Sequence, residues 1–184
     1  MNLWHFNGGN SFEAAVKGTQ TLLVPTFLAT GLGIALDLVD NDGLELTQGI
    51  LAAGRSAFTI GTDAAFYASF KVTLADVSGI DDMIFGFRKV EAYQATSIAT
   101  YTDFAGLGFN TAANPAAIKV RTQLNSAGAQ NVDTTDTWAD AASKTITVKV
   151  SAAGVTTFLL NGVAPTTTAA FTYDTGDIVV PFFY

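Results

Sequence analysis

The sequence of 184 residues contains no cysteine and a single histidine, His5. The absence of cysteine excludes disulfide bonds, thiolate chemistry and cysteine-ligated zinc, and it leaves the redox compartment undetermined. The single histidine lies in the predicted N-terminal arm, which argues against a Ser-His-Asp triad, and one histidine cannot build a metal site from several histidines. Residue counts therefore exclude cysteine-based sites and multi-histidine metal sites.

Charge is also scarce, since charged residues make up 14% of the chain against roughly 25% in typical soluble domains. The nine Lys and Arg residues are scattered among sixteen acidic residues, and the net charge is −7. Without a basic stripe, we expect no direct binding to nucleic acid. Low charge combined with 49% hydrophobic residues predicts a surface that is partly covered by copies of the chain or by a partner, so we expect a homo-oligomer.

Glutamate is rare as well. Glu13, Glu45 and Glu91 are the three glutamates, and none belongs to a Glu-x-Asp-x-Glu run on a strand. Glycoside hydrolysis needs two carboxyl groups roughly 5–10 Å apart, and the sequence shows no such pair. Most aspartates stand beside Gly, Asn or Thr, where their side chains usually bond the local backbone. We therefore predict no catalytic residues, no cofactor and no enzymatic activity.

A calcium site is the remaining metal hypothesis. Asp37, Asp40 and Asp42 precede Gly43, but an EF-hand in this register would begin at Leu38, which supplies no side-chain ligand. An aspartate-rich turn is the favoured interpretation, and a looser Ca²⁺ site made from these loop aspartates stays open as an alternative. We otherwise predict no metal site.

The most apolar window, residues 21–39, does not predict a membrane span. Pro25, Gly31, Gly33 and Asp37 interrupt it, so it falls short of about 18 consecutive apolar residues. One or two buried strands are the better interpretation, and no membrane role is expected.

Short alternating segments dominate the rest of the chain. Residues 65–74 and 118–124 alternate in hydropathy, and Gly106 and Gly108 suggest strands that pack closely together. Residues 144–162 specify two consecutive antiparallel turns, one at Gly154 and one at Asn161-Gly162. Residues 126–142 are predicted to be a polar loop that contains Trp138. About ten to thirteen short strands predict an all-β fold, a two-sheet antiparallel β-sandwich over residues 21–184.

Residues 1–20 are predicted to form an N-terminal arm with one short helix. Asn10 and Glu13 resemble a capping box, which predicts a helix over residues 11–17 that ends at Gly18. The arm contains three large aromatic side chains, which either pack on the chain's own domain or contact a neighbouring protein. They are Trp4, Phe6 and Phe12.

Trp138, residues 144–150 (KTITVKV) and residues 154–162 (GVTTFLLNG) together resemble the most recognisable part of concanavalin A-like (laminin G-like) jelly rolls. Residues 65–74 followed by 85–87 are similar to the paired inner strands of the same fold. The resemblance covers roughly residues 43–184 and implies a jelly roll. It is weakly specific for function, because the family includes lectins, glucanases and structural modules.

The chain lacks two features of the family that are tied to particular functions, and their absence determines the function that we expect. The glucanase carboxylate run and the Asp/Asn cluster of a legume-lectin calcium site are both missing. What remains resembles bacteriophage virion proteins that decorate a capsid, which commonly sit as trimers. That resemblance implies a non-enzymatic capsid decoration protein at the virion surface, with a major capsid protein as partner and Trp4, Phe6 and Phe12 at the contact.

Two alternatives remain open from the sequence. The chain is alternatively a lectin-like, carbohydrate-binding module of a virion fibre or a cell-surface protein, with Trp138, Tyr93 or Tyr101 stacking on sugar rings. For Trp138, a place in the core or at a sheet edge is the more ordinary expectation. The third hypothesis is a degenerate glycosidase.

Overall fold

The computed structural model describes residues 13–18, 21–23, 33–35, 43–47, 57–78, 80, 82–110 and 116–184. These residues form two antiparallel sheets that pack face to face, and a short separate hairpin. The predicted fold class, an all-β two-sheet antiparallel sandwich, is confirmed. Helical structure within the described residues is limited to a 3₁₀ turn at Ile98–Thr100, and no helix there is long and apolar enough to cross a membrane.

The strands are numbered in chain order. They are β1 (Glu13–Lys17), β2 (Thr21–Leu23), β3 (Gly33–Ala35), β4 (Gly43–Thr47), β5 (Phe58–Thr59), β6 (Phe66–Thr73), β7 (Asp82–Lys89), β8 (Phe104–Asn110), β9 (Ala117–Gln123), β10 (Gln130–Thr137), β11 (Ser143–Val150), β12 (Thr156–Leu160) and β13 (Ile178–Phe183).

The larger sheet has the order β1-β4-β13-β7-β8-β9-β10, with β5 pairing with the beginning of β13. The smaller sheet has the order β12-β11-β6, and β2 pairs with β3 in a hairpin of their own. The last strand in sequence, β13, is therefore central in the larger sheet, where it joins β4 to β7.

The main core lies between the two sheets, because every second residue of the facing strands is apolar. Ile146, Val148 and Val150 point inward from β11, and Phe85 and Phe87 meet them from β7. All five side chains are buried. This alternation is the one predicted from residues 144–150, and it leaves the intervening Thr145, Thr147 and Lys149 on the other face of the smaller sheet.

Both turns predicted around β12 are present. Gly154 has φ 84°, and Asn161 and Gly162 have φ 52° and 83°, the left-handed backbone of a type I′ hairpin. Leu160 and Val163 form a bridge across that turn. A short-range pattern was sufficient here, because the turn chemistry determines the pairing of the residues beside it.

Gly106 and Gly108 allow β8 to lie against β7, as predicted. A Cβ atom on Gly106 would overlap the carbonyl oxygen of Phe85, and one on Gly108 would overlap that of Met83. The two strands pair along their whole length. Side chains at these positions would force the strands apart, so the glycines serve backbone packing.

A second, smaller core covers the outer side of the larger sheet. Ile84, Phe104 and Phe182 project outward from β7, β8 and β13, and the segment of residues 90–103 covers them with Ile98 and Tyr101. All five side chains are completely buried. The larger sheet is therefore closed on this central part of its outer side.

The predicted helix over residues 11–17 is wrong, because Glu13–Lys17 form strand β1. This strand pairs antiparallel with β4, from Glu13 opposite Thr47 to Lys17 opposite Gly43. The capping-box pattern expresses a local preference, and pairing with a strand about thirty residues later overrides it. Gly18, proposed as the helix end, has φ 79° directly after the strand.

The predicted loop over residues 126–142 contains an edge strand, β10. It pairs with β9, and the Oγ1 of the buried Thr134 donates a 2.6 Å hydrogen bond to the carbonyl oxygen of Ile118. The register is irregular between Asp133 and Thr137, where Thr135 has φ 64°. The strand lacks an apolar alternation because most of its side chains are exposed, so sequence periodicity did not reveal it.

Candidate binding face on the smaller sheet

The smaller sheet has an outward side that no described residue covers, which we call the outer face. It includes Tyr67, Ser69 and Lys71 on β6, Thr145, Thr147 and Lys149 on β11, and Thr157 and Leu159 on β12. These positions alternate with the core residues of the same strands, so the strand period places them together on the solvent side.

Cross-strand pairing arranges the outer face in rows. Lys149 lies opposite Tyr67 on one side and Thr157 on the other. The next row pairs Thr147 with Ser69, whose hydroxyl oxygens are 2.9 Å apart. Side chains directly opposite one another on a sheet are close enough to act on the same ligand.

Tyr67 is the prominent side chain of this face, with 67% of its surface exposed. It lines a depression of about 630 Å³ together with Ser69, Thr147, Lys149 and Thr157. An aromatic ring presented beside hydroxyl and ammonium groups can pack on an apolar face of a ligand while the polar groups bind its edge. The face thus offers one stacking surface and several hydrogen-bonding groups.

Trp138, predicted as a stacking side chain, lies in the core instead. Its exposure is 1%, its ring packs 5.8 Å from that of Phe109, and its Nε1 donates a 2.9 Å hydrogen bond to the carbonyl oxygen of Ala142. The ring therefore presents no face to a ligand, and the prediction of glycan stacking by Trp138 is wrong. The alternative, an anchor in the core, describes its position.

Tyr101 cannot stack on an external ligand either, because it is completely buried. Its hydroxyl donates to Glu45 and accepts a 3.1 Å hydrogen bond from the backbone N–H of Gln94. Burial raises the pKa of Tyr101 well above its usual range, and the negative charge of Glu45 adds to this effect. Tyr101 therefore holds residues 90–103 against the larger sheet.

Tyr93 is partly buried on the same side of the molecule as Tyr101. Its ring lies 6.2 Å from that of Tyr184, and burial raises its pKa. The structure does not bring Tyr93 together with Trp138 or with the outer face. The three aromatic residues predicted for glycan stacking thus do not form one site.

Several predicted residues lie outside the described part of the chain. These are Trp4, Phe6 and Phe12, predicted for the partner contact, and Asp37, Asp40 and Asp42, considered for calcium. Within the described residues, no group of three or more acidic or histidine side chains could hold a metal ion.

The buried carboxylates are engaged by basic side chains. Lys89 bridges Asp103 and Asp177, with its Nζ 3.1 Å from Asp103 Oδ2 and 2.6 Å from Asp177 Oδ1. The hydrogen bond with Asp177 raises the pKa of Lys89, although partial burial opposes that shift. Glu45 is paired with Arg88 in the same manner. The buried carboxylates Glu45, Asp103 and Asp177 thus act as partners of cations, while the absence of enzymatic activity stays a prediction.

Tyr67 and its neighbours were not identified as candidates from the sequence. The signal was present, because residues 65–74 alternate in hydropathy, which places Phe66, Phe70 and Val72 on one side of the strand. That assignment leaves Tyr67, Ser69 and Lys71 on the other side. What the sequence did not show is that β11 lies beside β6 and brings Lys149 next to Tyr67.

No protein-family model matches the sequence, and no curated protein matches it. One similar structure is the receptor-binding domain of the botulinum neurotoxin C/D mosaic serotype, with a TM-score of 0.45 and 10% identity. Another is a structure of botulinum neurotoxin type C, whose cell entry depends on interaction with two ganglioside molecules, with a TM-score of 0.43 and 12% identity.

Each of these comparisons covers 96% of this chain, which spans only 42% of the length of either toxin structure. Similarity of this degree carries no argument about what the chain binds. The described residues define the class of the chain as an all-β, two-sheet antiparallel sandwich, and none of them covers the outer face of its smaller sheet.

Proposed function

We propose that the protein is a carbohydrate-binding module that uses the outer face of the smaller sheet. The observation that carries the proposal is Tyr67, an exposed ring in a depression lined by Ser69, Thr147, Thr157 and Lys149. A sugar ring has C–H groups that pack on an aromatic surface and hydroxyl groups that bond to polar neighbours. The depression supplies both kinds of contact.

The proposal is tested by comparing the wild-type protein with Tyr67→Ala and Tyr67→Phe on an array of glycans, followed by titration calorimetry with each glycan that binds. Tyr67→Ala should weaken binding by about tenfold or more, because loss of a central aromatic contact commonly costs over 1 kcal/mol. Tyr67→Phe keeps the ring and should retain most of the affinity.

Ile178→Ala is the matched control, since Ile178 is a large exposed apolar residue on the other sheet, at 43% exposure. Its binding should equal that of the wild type. Failure of the wild-type protein to bind any glycan, or equal binding by Tyr67→Ala, would reject the proposal.

Capsid decoration is the second candidate, and its support is the low charge of 14% together with the resemblance to phage virion proteins. In that hypothesis the chain is a homo-oligomer, with a trimer favoured, that binds a major capsid protein. Changing Trp4, Phe6 and Phe12 together to Ala should abolish co-sedimentation with capsids while circular dichroism stays unchanged. Full occupancy by this variant would reject the contact.

A further inference from the structure

The charge of the smaller sheet is opposite to that of the whole protein. Strands β6, β11 and β12 together contain three lysines and no acidic residue in their 21 positions. The chain has a net charge of −7, so the smaller sheet carries +3 and the rest of the chain −10. This local excess of positive charge arises only when the sheet forms, because Lys71 and Lys149 are far apart in sequence.

Two of these lysines, Lys71 and Lys149, belong to the outer face. Lys149 lies opposite Tyr67, and Lys71 lies opposite Thr145. The two lysines are therefore four residues apart along the strands, which corresponds to roughly 13 Å. Both are exposed, and the hydroxyl row of Ser69 and Thr147 lies between them.

Three other basic residues of the described chain form ion pairs with carboxylates, unlike Lys71 and Lys149. Arg88 pairs with Glu45, Arg121 pairs with Asp82, and Lys89 bridges two aspartates. Neither Lys71 nor Lys149 forms an ion pair or a side-chain hydrogen bond with any residue that the structure describes. Both side chains are exposed, Lys149 beside Tyr67 and Lys71 at the other end of the outer face.

Resting on the proposed function, we infer that the ligand of the outer face is an acidic oligosaccharide. One sugar ring packs on Tyr67 beside Lys149, and an acidic group on a neighbouring sugar unit reaches Lys71. Carboxylate and sulfate groups share the required chemistry, since both are anionic acceptors for an ammonium group. A neutral glycan would leave both lysines without a partner.

The experiment compares three oligosaccharides of equal length by titration calorimetry: a galacturonic acid oligomer, a heparin-derived oligomer and a neutral maltose oligomer. At least one acidic oligomer should bind about tenfold more tightly than the neutral one. Raising the salt from about 50 mM to about 500 mM should remove most of this difference, because the lysines are exposed and screened. Binding of the galacturonic acid oligomer assigns carboxylate, and binding of the heparin-derived oligomer alone assigns sulfate.

Lys71→Gln and Lys149→Gln should each weaken binding of the preferred acidic oligomer by about two- to fivefold, the range measured for exposed charge pairs. Lys144→Gln is the matched control, because Lys144 belongs to the same strand as Lys149 but lies on the opposite side of it, the side of the core residues Ile146 and Val148. It removes the same charge from the protein away from the outer face and should leave affinity within error of the wild type.

The outcomes separate this inference from the proposed function. Equal, Tyr67-dependent binding of neutral and acidic oligomers overturns the inference and leaves the carbohydrate-binding proposal standing. Equal weakening by Lys144→Gln also overturns the inference, since the effect would then follow net charge alone. Equally tight binding of a single-stranded DNA oligonucleotide overturns it as well, and binding of no saccharide rejects both proposals.

Discussion

Replacing Arg88 by Met should strongly destabilise the fold. The guanidinium group and Glu45 are both fully buried, with Nη2–Oε1 at 2.6 Å and Nε–Oε2 at 3.1 Å. Nη1 donates to the carbonyl oxygens of Lys89 at 2.8 Å and Glu91 at 3.0 Å. The guanidinium carbon also lies 4.7 Å from the centre of the Tyr101 ring. One side chain thus satisfies a buried carboxylate and two backbone carbonyls.

Removing Arg88 leaves the Glu45 carboxylate in the protein interior without its cation. Breaking a buried pair in this manner costs about 3–5 kcal/mol of unfolding free energy. For a domain of this size each kcal/mol lowers Tm by about 2–4 °C, so we expect a fall of roughly 6–20 °C. Urea titration and thermal unfolding, both followed by near-ultraviolet circular dichroism, measure the loss.

The surface variant Lys149→Met is the control and should change the free energy of unfolding by less than about 0.5 kcal/mol. A triple variant should recover part of the stability that Arg88→Met loses, because it leaves no buried charge unpaired. It combines Arg88→Met, Glu45→Met and Tyr101→Phe. A loss below about 1 kcal/mol for Arg88→Met alone would refute the reasoning.

Two further predictions concern pH and glycine. Burial raises the pKa of Tyr101 and Tyr173 above their usual value, so these tyrosines ionise in the unfolded chain first. Their contribution to the free energy of unfolding is complete below about pH 10. Above that pH, each tyrosine should lower the free energy of unfolding by about 1.4 kcal/mol per pH unit. Urea unfolding measured from about pH 8 to pH 11 should show this decline, and a constant free energy of unfolding would contradict the prediction. Gly162→Ala meets open space and should cost about 1–2 kcal/mol for its positive φ alone. Gly108→Ala should lower the free energy of unfolding by more than Gly162→Ala does, because the new Cβ would overlap the carbonyl oxygen of Met83. If chemical denaturation gave equal losses for the two variants, that result would count against the close packing of β7 and β8.

Local chemistry explains which parts of the fold could be predicted. The turns at Gly154 and Asn161-Gly162 followed from residues within the turns themselves, and the sandwich class followed from many short alternating strands. The helix predicted over residues 11–17 failed because its competitor, pairing with β4, lies far along the chain. Strand β10 was missed because its pairing with β9 is supported by backbone contacts more than by apolar side chains.

The candidate site was harder to predict for the same reason. Alternation in β6 is sufficient to place Tyr67 on the solvent side, but it does not say what lies beside it. Lys149 stands 82 positions later in the chain and becomes a neighbour only through the register of β6 with β11. Trp138 was considered for stacking because its residue type suits that role, whereas its burial depends on packing against Phe109 from another strand.

The central position of β13 has a consequence for synthesis. Within the described residues, the β1–β4 pair and the β7–β10 group meet through this strand, and Thr47 Oγ1 donates to the carbonyl oxygen of Pro181 across 134 positions. At roughly 5–20 residues per second, the ribosome adds β13 on the order of ten seconds after β4. During that interval one edge of β4 lacks the strand with which it pairs in the native fold. Strand β4 also contains the apolar side chains of Leu44 and Leu46, which are buried in the native fold. A nascent chain stalled before residue 178 should therefore be more prone to aggregation than the released protein.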